Sequence, residues 1–154
     1  MKGFLPLLFL YLYLSIQSTC VDASTKEPSV VIIGSYRKFY PNIYEKIESF
    51  EKLGIKVLKP PKSRIINPGS EYCRFESDMD KSMNELEHEF LEAIRMATFV
   101  YVVNPNGYIG LSSSFEIGFS YSLRKDIYCM EKPIDPMLAT MCTQIAPDLK
   151  TKLN

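Results

Sequence analysis

Four short apolar runs constrain this chain more than any other feature: Ser29–Ile33 (SVVII), Ile55–Leu58 (IKVL), Thr98–Val103 (TFVYVV) and Asp126–Met130 (DIYCM). The first and third are continuous and rich in β-branched residues, so both of their faces must be buried, as in a central strand with helices on either side. Between them the period changes. Ile43, Ile47, Phe50 and Leu53 recur at helical spacing, with Pro41 placed to open a helix and Gly54 to stop it. Met83, Leu86, Phe90, Ala93, Ile94 and Ala97 line one side of a second helix, whose other side carries Glu85, Glu89 and Glu92. Ser112 or Ser113 can cap a third helix reaching about Leu123, and Pro133 to Pro136 leads into a fourth through Met137, Leu138 and Met141. Strand and helix alternating four times predicts an α/β chain with right-handed crossovers and a mostly parallel sheet of four to five strands.

The sequence has 154 residues, and its 18 Lys plus Arg balance 18 Asp plus Glu. That balance, without a basic stripe, argues against a nucleic-acid polymer as partner. Phe4–Ile16 is an uncharged run of 13 residues behind Lys2, followed by Val21-Asp22-Ala23 with small side chains where a signal peptidase reads. Residues 1–23 thus have the pattern of a secretory leader, and the run is short for the roughly 20 residues of a permanent membrane span. The expectation is a secreted or extracytoplasmic protein whose residues 24–154 form one domain. A cytoplasmic protein with a misassigned start, or one anchored by an uncleaved leader, is the alternative. Cleavage would leave Cys73, Cys129 and Cys142, an odd number without metal-ligand spacing, which reads as buried thiols.

In parallel sheets, ligands bind beyond the carboxyl ends of strands where the strand order reverses. That rule singles out Gly34–Arg37 after the first strand and Asn104–Glu116 after the third, and predicts that the two loops are neighbours. The first offers a hydroxyl, an aromatic face and a fixed cation (Ser35, Tyr36, Arg37) beside exposed backbone N–H groups, suited to a sugar hydroxyl or a phosphate. The second runs through Asn104-Pro105-Asn106-Gly107-Tyr108-Ile109-Gly110 into Ser112-Ser113-Ser114-Phe115-Glu116-Ile117-Gly118. Here two expectations compete for Glu116. Ser113-x-x-Glu116 is a capping box, which would make Glu116 structural. Alternatively, a carboxylate in the first turn of such a helix is kept ionised by N–H dipoles and placed to act as a nucleophile. Gly118, costly by about 1 kcal/mol inside a helix, suggests a backbone or ligand passing close. The stretch from Lys59 to Lys81, with no strong period, is a candidate rim or lid.

The segments Val31-Ile32-Ile33-Gly34-Ser35-Tyr36-Arg37, Phe99 to Gly110 and Phe115-Glu116-Ile117-Gly118 resemble the nucleoside 2-deoxyribosyltransferase family and its nucleotide N-hydrolase relatives, over about residues 29–145. The resemblance implies a Rossmann-like or flavodoxin-like three-layer sandwich, no cofactor and no metal. It also implies a Glu that attacks the anomeric carbon of a (deoxy)nucleoside or nucleotide, and Glu116 matches that nucleophile. A homo-oligomer, in which a neighbour can complete the pocket, is implied in the same way. The two loops and the resemblance together nominate Gly34, Ser35, Tyr36 and Arg37 from one side, and Asn104, Tyr108, Gly110 and Ser113 from the other, as substrate-binding positions.

Cleaving an N-glycosidic bond passes through an oxocarbenium-like state, so a carboxylate beneath the sugar can stabilise it or form a glycosyl ester. A second acid should protonate the departing base. Relatives often carry a polar residue on the helix before the third strand for that task, and the matching position here is Phe90. Asp78 is the best substitute and Glu87 the next, with Glu87 read as a surface charge and His88, the single His, as solvent-exposed. Two functions follow. One is an enzyme that cleaves or transfers the N-glycosidic bond through Glu116. The other is a non-catalytic nucleoside- or nucleotide-binding module of the same fold, with Glu116 as a cap and Phe90 as the mark of a lost acid.

Overall fold

The computed structural model describes residues 27–146, so the leader-like segment 1–23 lies outside the described residues. In chain order the elements are β1 (Ser29–Gly34), α1 (Tyr36–Lys52), β2 (Lys56–Lys59), a 3-10 turn (Glu76–Asp78), α2 (Met83–Met96), β3 (Phe99–Val103), a second 3-10 turn (Pro105–Gly107), α3 (Leu111–Ser122), β4 (Asp126–Cys129), α4 (Pro136–Met141) and β5 (Gln144–Ile145). Every strand pairing is parallel, and the strand order is 2-1-3-4-5. This is the flavodoxin-like doubly wound arrangement, whose order reverses between β1 and β3.

The continuous apolar runs are explained by two cores. Val30 and Ile32 of β1, with Phe99, Tyr101 and Val103 of β3, pack against Ile43, Ile47 and Phe50 of α1. The alternate residues Val31, Ile33, Val100 and Val102 face Phe90, Ala93 and Ile94 of α2 and Ile117 of α3. Each buried aliphatic side chain contributes about 1.5–3 kcal/mol. A slip of β3 by one residue would exchange its two faces, so the direct pairing of Val30–Gly34 with Phe99–Val103 is strongly held. At the end of β1, a Cβ on Gly34 would lie 2.9 Å from the Val103 carbonyl oxygen and 3.1 Å from Ile43 Cδ1. Only glycine lets the two strand ends come this close where the site begins.

Helix starts depart from expectation in two places. A helical turn follows β1 at once, because the Lys38 and Phe39 amides both donate to the Ser35 carbonyl. The non-helical Phe39 then kinks the chain before Pro41. The capping box expected at Ser113 and Glu116 does not form: α3 begins at Leu111 with Gly110 as its cap, so Glu116 lies in the second turn. The same S-x-x-E pattern is realised instead by Ser82 and Glu85 at the start of α2. Space around Gly118 is open, with nothing within 4 Å of a Cβ placed there, so no backbone passes close. No helix among the described residues is long and apolar enough to cross a membrane.

Candidate active site

Where β1 and β3 part, their following segments enclose a cavity of about 360 Å³, within the range of small-molecule sites. Gly34–Arg37 form one wall. Tyr108 and Gly110 to Ser113 form another, with Glu116 beyond them on α3. The start of α2 supplies Met83, Leu86, Glu87 and Phe90, so the first turns of its apolar stripe face the cavity before the stripe enters the core. The stretch after β2 closes the remaining side with Pro60, Pro61, Glu71 to Phe75 and Asp78.

That last stretch is ordered by its own bonds rather than by a regular period. The Ile66 amide donates to the Arg74 carbonyl and the Glu76 amide to the Arg64 carbonyl, both at 2.9 Å, pinning a narrow antiparallel loop. Asn67 fastens its tip, donating to the Tyr72 carbonyl at 2.9 Å and accepting from the Arg74 amide at 2.6 Å. Phe75 packs edge-on against Tyr36 and tilts onto Tyr40, with ring centroids 5.4 and 5.9 Å apart. The rim is therefore tied to the start of α1. The loops after β1 and β3 meet as well, since Lys38 Nζ stands 3.7 Å from the Tyr108 ring centre and Phe39 lies edge-on to that ring at 5.9 Å.

Glu116 keeps partial exposure, as a residue lining a cavity must, yet protein surrounds it on the other sides. Among the described residues its carboxyl accepts no hydrogen bond, while its backbone carbonyl accepts one from Ser120 Oγ at 2.7 Å. Burial, and after it the charge of Glu87, hold its carboxyl well above the usual carboxylate range. The dipole expected to keep it ionised acts within the first turn, which Glu116 has left. Tyr36 is the hub of the site. Burial first, then the charges of Glu116, Glu87, Cys73 and Asp78, push its phenol well above its ordinary value. All four line the same cavity as Tyr36.

Asp78 and Glu87 are the two candidates for the second acid. Asp78 is buried in the cavity wall and ion-paired with Lys81 at 3.5 Å, and Lys81 also meets Glu89 at 2.8 Å. Glu87 stands exposed at the cavity mouth, and its charge acts on Glu116 as well as on Tyr36. Glu87 thus keeps the exposed position expected of it and also lines the cavity, where its charge raises the proton affinity of Glu116. Three residues apart on α2, Glu87 and Phe90 both line the cavity, and that helical spacing is the signal by which sequence could have found it. His88 is exposed.

Of the binding positions, Gly34, Ser35, Tyr36, Arg37, Tyr108, Gly110 and Ser113 line the cavity, and Asn104 does not. Asn104 is fully buried, donating to the Glu131 carbonyl at 2.8 Å and accepting from the Glu131 amide at 3.0 Å. Its amide ties the end of β3 to the segment after β4, leaving none of it for a ligand. Of the three cationic side chains lining the cavity, Lys59 pairs with Glu89 at 3.0 Å and Arg74 donates to the Met79 and Lys81 carbonyls, while Arg37 has neither an ion pair nor a side-chain hydrogen bond among the described residues. No group of three or more metal-ligating side chains occurs among the described residues.

No family model matches the chain, and no curated protein matches it in sequence. Solved structures do match in shape. A CMP N-glycosidase of Clostridium botulinum superposes with a TM-score of 0.51 at 13% identity, over 76% of this chain and 84% of that one. A 2-deoxyribosyltransferase of Bacillus psychrosaccharolyticus superposes with a TM-score of 0.50 at 16% identity, over 73% of this chain and 80% of that one. At such identities the likeness establishes the architecture: this chain has the fold of those two proteins.

Proposed function

We propose that this protein cleaves or transfers the N-glycosidic bond of a (deoxy)nucleoside or nucleotide, with Glu116 as the nucleophile. The observation that carries the proposal is the setting of Glu116: a carboxyl without a hydrogen-bond partner among the described residues, facing Tyr36 and Glu87 in a cavity at the reversal point of the sheet. A cap or a structural ion pair would have its oxygens occupied. The names of the two similarly folded enzymes, an N-glycosidase of CMP and a deoxyribosyltransferase, support the same chemistry.

In this scheme a Glu116 carboxylate oxygen bonds to the anomeric carbon as the carbon–nitrogen bond breaks, and the electron pair leaves with the base. Glu87 supplies or positions the proton that the base takes up, in place of the acid absent at Phe90. The cationic character of the transition state favours ionised Glu116, whose charge is unfavourable in the empty cavity; that is differential stabilisation of the kind catalysis requires. Water resolving the glycosyl ester gives hydrolysis, and a free base gives transfer. Arg37 and the N–H groups at the start of α1 are placed to hold a sugar hydroxyl or phosphate.

The second reading is a binding module, favoured by Phe90, which is 8% exposed and belongs to the core stripe of α2. The test is incubation of the protein with nucleosides and their 5′-monophosphates, with and without an acceptor base, with chromatographic detection of released or exchanged base. Turnover lost in Glu116→Ala supports the enzyme. Binding without turnover by the folded wild-type protein would replace it with the module.

A further inference from the structure

We propose that Asp78 reads the base of the substrate: its free carboxylate oxygen accepts a hydrogen bond from an exocyclic amino group, so the site takes amino-bearing bases and rejects those with a carbonyl in the same place. The proposal rests on the N-glycoside reading above and names the substrate class that this reading leaves open. Asp78 lines the cavity and is itself only 6% exposed. Its Oδ1 stands 3.5 Å from the Lys81 ammonium, which is shared with Glu89 at 2.8 Å. Its Oδ2 has no hydrogen-bond partner among the described residues. Among those residues no side-chain oxygen is both sealed from solvent and unpaired, so Oδ2 opens into the cavity. A ligand that displaces water from such an oxygen must bring a donor to it or lose affinity.

The turn that carries Asp78 is built to hold it still. The Asp78 amide donates to the Phe75 carbonyl at 3.0 Å, and the Lys81 amide donates to the Asp78 carbonyl at 3.2 Å. The Arg74 guanidinium grips the carbonyls that follow, Met79 at 3.3 Å and Lys81 at 3.0 Å. A carboxylate fixed in this way gives up little freedom when a ligand arrives. Through Lys81 and Glu89 it is also tied to α2, whose Met83, Leu86 and Phe90 give the cavity an apolar face. A flat heterocycle lying on that face, with its sugar at Glu116, would turn its far edge toward the turn before α2. An amino group on that edge supplies the proton that Oδ2 lacks. A carbonyl there sets two acceptors against each other with no proton between them. Glu87 cannot select in this way, because it stands exposed and water serves its oxygens whichever base is bound.

The full chain, as wild type and as Glu116→Ala to prevent turnover, is titrated calorimetrically with cytidine against uridine and adenosine against inosine, each also as the 5′-monophosphate. Each pair exchanges an amino group for a carbonyl at one ring position. Base release by the wild type is measured on the same ligands. The amino member of at least one pair is expected to bind about tenfold or more tightly than its carbonyl partner. Asp78→Asn, whose amide can donate as well as accept, and Asp78→Ala should each bring that ratio close to one. Equal affinity within both pairs, a preference for the carbonyl member, a preference that survives both Asp78 variants, or binding of no ligand overturns the proposal. The wild-type ratio decides where the variants fold poorly. Because the ratio comes from binding, the two readings fail separately. An amino preference without base release leaves Asp78 in its role and removes the N-glycosidic reaction, whereas base release without the preference does the opposite.

Discussion

Glu116→Gln separates the charge of Glu116 from its shape and reads stability and activity at once. Because the folded-state affinity of Glu116 for its proton exceeds that of the unfolded chain, the folded state binds more protons than the unfolded one above the ordinary carboxylate range. Stability attributable to this residue therefore falls as pH rises through that window and stays low at neutral pH. A tenfold change in proton affinity is worth about 1.4 kcal/mol, and water in the open cavity reduces the penalty on a partly exposed group. Glu116→Gln is accordingly expected to gain about 0.5–2 kcal/mol at pH 7.5, a rise of about 2–8 °C in melting temperature. Thermal unfolding followed by circular dichroism between pH 4 and 8 should show the gap closing toward about pH 4, where wild-type Glu116 is itself protonated. Turnover should fall by about 10³-fold or more. In the wild type, kcat/KM should be lost as pH falls through the raised Glu116 value, higher than for an ordinary carboxylate. A variant less stable than wild type at pH 7.5, or a gap independent of pH, would refute the reasoning and return Glu116 to a structural role.

The other residues give sharper contrasts. Glu87→Gln should leave the fold intact and lower kcat by about 10²–10⁴, with a smaller loss on substrates whose base departs without protonation; an equal loss on all substrates would remove Glu87 from proton transfer. Asn104→Ala should destabilise the protein by about 2–3 kcal/mol in urea unfolding, since it strands the Glu131 amide and carbonyl, and an unchanged midpoint would contradict the assigned role.

Strands β1 to β4, the helices and the two loops beside the cavity were legible in the sequence, because each rests on local chemistry, whereas the two-residue β5 carried no pattern of its own. Continuous runs such as Val30–Ile33 and Phe99–Val103 require burial on both faces, and the helix-period stripes on α1 and α2 require a sheet to cover. The reversal rule then picked the segments after β1 and β3, and the cavity lies between them. Their closeness needed only the parallel sheet.

Tertiary structure alone decided which side chains share that cavity. The spacing of Ser113 and Glu116 satisfies a cap, yet the helix starts at Leu111 because the chain leaves the β3 loop at Gly110, and one turn of difference moves Glu116 into the cavity wall. Glu87 reads as surface charge by its own period, and its meeting with Glu116 depends on how α2 and α3 lie against each other. Asn104 could as well have faced a ligand as the Glu131 backbone, 27 residues away in sequence. Periodicity records which face of an element is apolar. Rotation and approach of two elements are set by packing between residues far apart in the chain, and that packing is where the chemistry of this site is assembled.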